Sequence, residues 1–108
     1  MQTSRITRVI VIQNSQGLHA RPADMFARLA KQFQSRIELV REGRRVEASS
    51  IMDLLTLGAA QGTELLLEAE GHDAQEAVDA LVRLVESGFP SEEADIEEQT
   101  SGGSRISD

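Results

Sequence analysis

The sequence predicts an α+β domain of two layers, an antiparallel sheet with helices covering one of its sides. Three observations carry that expectation. Strand-like stretches alternate apolar and polar residues, giving each one face for a core and one for water. Helix-like stretches carry a single apolar stripe. The two kinds interleave as β-α-β-β-α-β-α, with turn-forming residues between them. At 108 residues the chain amounts to about one domain, and with three phenylalanines, no tyrosine and no tryptophan its core must be aliphatic.

The first strand is Arg5 to Ile12, rich in β-branched residues, with Ile6, Ile10 and Ile12 on one face. Gln13-Asn14-Ser15-Gln16-Gly17 ends it as a turn cluster. From Ala20 the period changes: Pro22, Phe26, Leu29, Ala30 and Phe33 form one helical stripe, with Arg28 and Lys31 off it and exposed. That helix would be about 20 Å long. Arg36 to Arg41 alternates as a second strand with Ile37 and Leu39 inward, Glu42-Gly43 signals a hairpin, and Arg44 to Ala48 returns with Val46 inward. Ser50 precedes a short helix, Ile51 to Leu57, closed by Gly58; with Asp53 it resembles a capping box. Thr63 to Glu70 is a half-buried strand with Leu65, Leu67 and Ala69 inward, only Leu66 breaking the alternation. Asp73 then caps a final helix striped by Ala74, Ala77, Val78, Leu81, Val82 and Val85, which Gly88 ends. Residues 1–89 are expected to form the domain. Residues 90–108 hold six carboxylates and few apolar groups, the composition of a disordered, solubilising acidic tail.

Composition excludes several classes of function. A net charge of −7 and the absence of any aromatic platform argue against nucleic-acid binding. No cysteine is present for thiol catalysis or a Cys-based metal site. Neither His19 nor His72 stands at regular metal-ligand spacing, so no metal and no cofactor is expected. The N-terminus is too polar for a signal peptide and no run spans a membrane, so the expected location is cytoplasmic without membrane insertion.

The chemistry concentrates at Gly17-Leu18-His19-Ala20-Arg21-Pro22-Ala23. A histidine stands where a strand gives way to a helix, and a helix start offers amides and positive potential to an anion. A neutral imidazole attacks phosphorus, and Arg21 supplies a cation with several fixed donors for the resulting phosphate. On spacing alone, His19 could equally be an ordinary helix-start residue and Arg21 a solubilising one. Ser50 likewise reads as a plain N-cap or as a phosphorylation site at a helix start, and the two are compatible. Ile51, Met52 and Leu55 are either core residues of the short helix or an apolar docking patch.

These residues resemble the phosphocarrier protein HPr family of the bacterial phosphoenolpyruvate:sugar phosphotransferase system. The resemblance runs from Arg5 to Gly88 and rests on two anchors, Gly17 to Ala23 and Ser50-Ile51-Met52-Asp53-Leu54-Leu55-Thr56-Leu57-Gly58. It implies an open-faced β-sandwich of strand order 1-4-2-3 with three helices on one face. It implies a carrier rather than an enzyme, and a monomer. His19 would take a phosphoryl group at Nδ1 from phospho-enzyme I, charged by phosphoenolpyruvate, and pass it to an EIIA-type domain in sugar transport. Arg21 matches the arginine that contacts this phosphate. Ser50 matches the serine modified by HPr kinase/phosphorylase in lineages that possess that enzyme. Leu18, Ala20, Arg28, Lys31, Ile51, Met52 and Leu55 map onto the partner-docking face. Asp53, where glycine or lysine is usual, and Ser49, where lysine is common, depart from the pattern, and Asp53 adds like charge close to any phosphate on Ser50. The acidic tail is also outside it. The alternative function is a regulatory module that signals through His19 and Ser50 phosphorylation without sugar transport. A small hydrolase finds no acid–base pair beside Arg21 to support it.

Overall fold

Alternation sets the sheet. In the computed structural model, which describes residues 4–89, strand β1 is Ser4–Val11, β2 Arg36–Arg41, β3 Arg44–Glu47 and β4 Glu64–Gly71. Ile10, Ile37, Leu39, Val46, Leu65, Leu67 and Ala69 are all buried on one face. Helices α1 (Ala20–Ala30), α2 (Ile51–Leu55) and α3 (Ala74–Glu86) complete the order and add Phe26, Leu54, Val78, Leu81 and Val85 to a single core. The strand order is β1-β4-β2-β3, every pair antiparallel. Glu42 and Gly43 both take positive φ, 51° and 85°, the backbone of a tight hairpin turn that matches strand twist.

Two helices are shorter than their periodicity suggests. Helix α1 ends at Ala30, about 16 Å from its start, and Phe33 reaches the core from a turn. There Gln32 and Phe33 donate to Leu29 and Ala30, three residues back, the tightening expected at a helix end. Asp73 supplies the reason. Its carboxylate caps nothing on its own helix; it accepts from the amides of Gln34 and Ser35 at 2.8 and 2.9 Å and from the Ser35 hydroxyl. Capture of those amides draws the chain out of α1. The Ser35 hydroxyl bond first, then the backbone amides, hold the Asp73 carboxyl below the usual carboxylate range.

Helix α2 ends at Leu55 because the next amides also bond three residues back. Arg41 closes this end, donating from Nη1 to the carbonyls of Leu57 (2.6 Å) and Gly58 (3.0 Å). The sheet's uncovered face carries an ion network in which Arg45 bridges Glu38 (2.8 Å) and Glu68 (2.6 Å), and Arg5 reaches Glu68 at 3.1 Å. Beyond α3, Gly88 takes positive φ and Phe89 turns back into the core, 1% exposed. The acidic segment 90–108 lies outside the described residues.

Candidate functional site

The seat of His19 is built by two loops that neighbouring strands bring together. Because β1 pairs with β4, the chain after β1 lies against the chain before β4. Gly62 N–H donates to Ile12 at 2.7 Å, Ile12 to Thr63 at 3.0 Å, and the Gln61 side chain to Gln13. Leu18 N–H donates to the Ala59 carbonyl at 2.8 Å. Gly17 makes this approach possible. Its φ is +75°, and a Cβ there would stand 2.5 Å from Ala59 O and 2.9 Å from Ala60 Cα. The Asn14 side-chain amide donates to the Gly17 carbonyl at 2.5 Å and fixes the turn.

His19 follows as the N-cap of α1, with extended backbone (φ −87°, ψ −167°) and no side-chain capping bond. Its carbonyl accepts the first helical bond, from Ala23 at 2.9 Å. The preceding amides of such a turn have no i−4 carbonyl, and Pro22 contributes none. The imidazole, half-exposed, therefore stands at the positive end of α1 with Arg21 exposed on the first turn. That arrangement suits binding of a small dianion.

The other expected site residues divide by burial. Ala20 is exposed beside His19, and Arg28 and Lys31 continue along the outer side of α1. Arg28 holds Asp24 through Nε at 2.9 and 3.0 Å. Leu18 is a correction: at 5% exposed it belongs to the core and anchors the loop, offering a partner no surface. The family resemblance alone places it on the docking face; here its backbone is tied to Ala59 and its side chain is turned inward.

Helix α2 packs against α1 and extends the same face. Of its apolar residues only Leu54 is fully buried; Ile51 is half-buried, Leu55 is 37% exposed and Met52 72%. So Met52 and Leu55 lie on the surface and are not core residues of the short helix. Ser50 caps α2, its Oγ accepting from Asp53 N–H at 3.2 Å. What the sequence reading missed here is support: Ala59 and Ala60 as the wall behind Gly17, and Arg41 as the stay of α2. An arginine on the strand facing a Leu-Gly helix end was the available signal.

Fold and site together define a small open-faced sandwich with a histidine presented at a helix start, one edge of a mixed cationic and apolar face. Comparison with known proteins makes the assignment specific. A family model for the PTS HPr component phosphorylation site matches residues 6–87. The chain is 42% identical over 84 residues to the phosphocarrier protein HPr of Cupriavidus necator, covering 78% of this chain and 94% of that one. It is 42% identical over 83 residues to the phosphocarrier protein NPr of Proteus mirabilis, covering 76% and 92%. A crystal structure of HPr from Thermoanaerobacter tengcongensis superposes with a TM-score of 0.76 at 45% identity, covering 78% of this chain and 94% of that one. The chain belongs to the HPr family of phosphocarrier proteins, which are carriers rather than enzymes. Among the described residues no helix is long and apolar enough to cross a membrane, and no group of three His, Asp or Glu side chains is placed to hold a metal.

Proposed function

We propose that this protein relays a phosphoryl group through His19, from phospho-enzyme I to an EIIA-type protein. The observation that carries the reading is the His19 seat: an uncapped imidazole at the positive end of α1, with Arg21 on its first turn. In the step, an imidazole nitrogen of His19 attacks the phosphorus held on the donor's histidine. The P–N bond there breaks as one forms here, and no other reactant is consumed. Arg21 and the helix start stabilise the charge on the arriving phosphate. Effects of this kind at exposed helix ends amount to about 0.3–1 kcal/mol, modest enough that the group leaves again. Residues Ala20, Arg28, Lys31, Ile51, Met52 and Leu55 form the docking face for both partners in this reading.

Ser50 is in first place the cap of α2, an occupation the hydroxyl already has. Asp53 on the same turn adds negative charge beside any phosphate placed there. Phosphorylation by an HPr kinase would therefore work against its surroundings.

The test incubates the full chain with enzyme I and labelled phosphoenolpyruvate, followed by candidate EIIA domains. Acid-labile label that appears on the wild type, chases onto EIIA and is absent from a folded His19→Ala variant is the expected result. An unlabelled wild type, or label that survives in His19→Ala, refutes the proposal.

A further inference from the structure

We propose that the acidic segment Glu92–Glu98 docks across the chain's own α1–α2 face and competes there with phosphoryl-transfer partners. The docking stands on charge and topology; the competition rests on the carrier reading above. Composition alone suggests a solubilising tail, and the structure adds where the described chain ends, at Phe89, and which charges stand at that end of the domain.

Asp73, at the start of α3, binds the amides of Gln34 and Ser35 just beyond the end of α1. The end of α1 and the start of α3 therefore share one end of the molecule. Because α3 packs against α1, the two run antiparallel, and the last turn of α3 lies at the end where α1 begins. Phe89, buried to 1% exposed, pins the chain at this end. The tail thus departs from the same end of the domain as His19.

The α1 side of that face is cationic. At 3.6 residues per turn, Arg21, Arg28 and Lys31 fall within an arc of about 80° and a length of about 15 Å. All three are exposed, and Asp24 is the one carboxylate among them. The sheet's outer face offers no such excess: Arg5, Arg36 and Arg45 stand there among Glu38, Glu47, Glu64, Glu68 and Glu70. Only Pro90 and Ser91 separate Phe89 from a run with five carboxylates in seven residues: Glu92, Glu93, Asp95, Glu97 and Glu98. Extended, seven residues reach about 23 Å, enough to cover the cationic row. Ile96, the one large apolar residue of this run, matches the exposed Met52 and Leu55 of α2. Tethering raises the local concentration of the segment to the order of millimolar. Pairs this exposed are individually weak and screened by salt, so the contact is one that a partner displaces.

The sequence contains no cysteine, so a nitroxide placed on Thr100→Cys in the full chain reports on the tail alone. At low salt, about 20 mM, it should broaden amide resonances of Ala20–Lys31 and Met52–Leu55. The broadening should disappear at about 0.5 M salt, in a chain with Glu92, Glu93, Glu97 and Glu98→Gln and Asp95→Asn, and in Arg28→Gln/Lys31→Gln. Absent broadening, or broadening centred on the sheet's outer face or the β2–β3 hairpin, overturns the docking. With enzyme I as phosphoryl donor, the neutralised tail should lower KM about threefold or more at low salt, with kcat unchanged and the gap closed by salt. Equal KM values overturn the competition. Failure of His19 to accept label in either form refutes the carrier reading instead, and leaves the resonance result to decide the docking on its own.

Discussion

Replacing Gly17 by alanine tests whether the two-loop seat is as tight as it looks. A φ of +75° costs an L-residue with a Cβ about 1–2 kcal/mol. The new Cβ would also lie 2.5 Å from the Ala59 carbonyl oxygen, a backbone atom with no rotamer to yield. Relief requires the loops to part by several tenths of an ångström, weakening the 2.8 Å bond from Leu18 to that same oxygen, worth about 0.5–1.5 kcal/mol. Overpacking of this kind adds about 1–3 kcal/mol where the surroundings are firm. A total loss of about 3 kcal/mol or more follows, a fall in Tm of at least about 12 °C for a domain this size. Gly43→Ala is the matched comparison: φ there is +85° but nothing lies within 4 Å of the added atom, so only the backbone cost remains. Thermal and denaturant unfolding of both full-length variants measure the difference. Equal destabilisation by the two substitutions would refute the close approach between the Gly17 turn and Ala59.

Ser50→Ala removes the oxygen that accepts the Asp53 amide and should destabilise by about 1 kcal/mol, lowering Tm by about 4–8 °C while leaving label on His19 intact. Asp73→Asn should weaken the chain in a pH-dependent way. The folded carboxyl sits below its ordinary range, so its contribution is present above that range and lost as pH falls through the depressed value. The stability gap between variant and wild type, read by denaturant titration, should therefore be full at pH 7 and narrow progressively below about pH 4. A gap that stays constant down to pH 2 would remove the carboxylate clamp from the account of how α1 ends.

The elements were legible in the sequence because each needs only local pattern. The stripe of α3, from Ala74 to Val85, is buried residue for residue as its period predicts, and in β4 burial alternates even through Leu66, which lies half-buried on the outer side as Glu68 does. The strand order came from family resemblance, since alternation says which face is inward and nothing about which strand lies beside which. His19 and Arg21 could be singled out because a histidine and an arginine at a helix start are a short-range motif. The burial of Leu18, the part Arg41 plays at the end of α2 and the true bonds of Asp73 were not legible for one shared reason: their partners lie 16 to 41 positions away, at Ala59, at Leu57 and Gly58, and at Gln34 and Ser35. Local composition assigns an aspartate before a helix to that helix. Only the tertiary arrangement sends its carboxylate elsewhere.

The pairing of β1 with β4 carries one consequence for the life of the molecule. Ser4 lies opposite Gly71 and Val11 opposite Glu64, so the pairing closes a loop of more than fifty residues, among the slower events a small domain performs. Until it closes, the Gly17 turn has no Ala59 to rest on and the histidine no fixed orientation. A nascent, nicked or partly melted chain thus lacks the seat even where its helix α1 has formed. On the carrier reading proposed above, acceptance of label by His19 would then report that the β1–β4 pairing has closed.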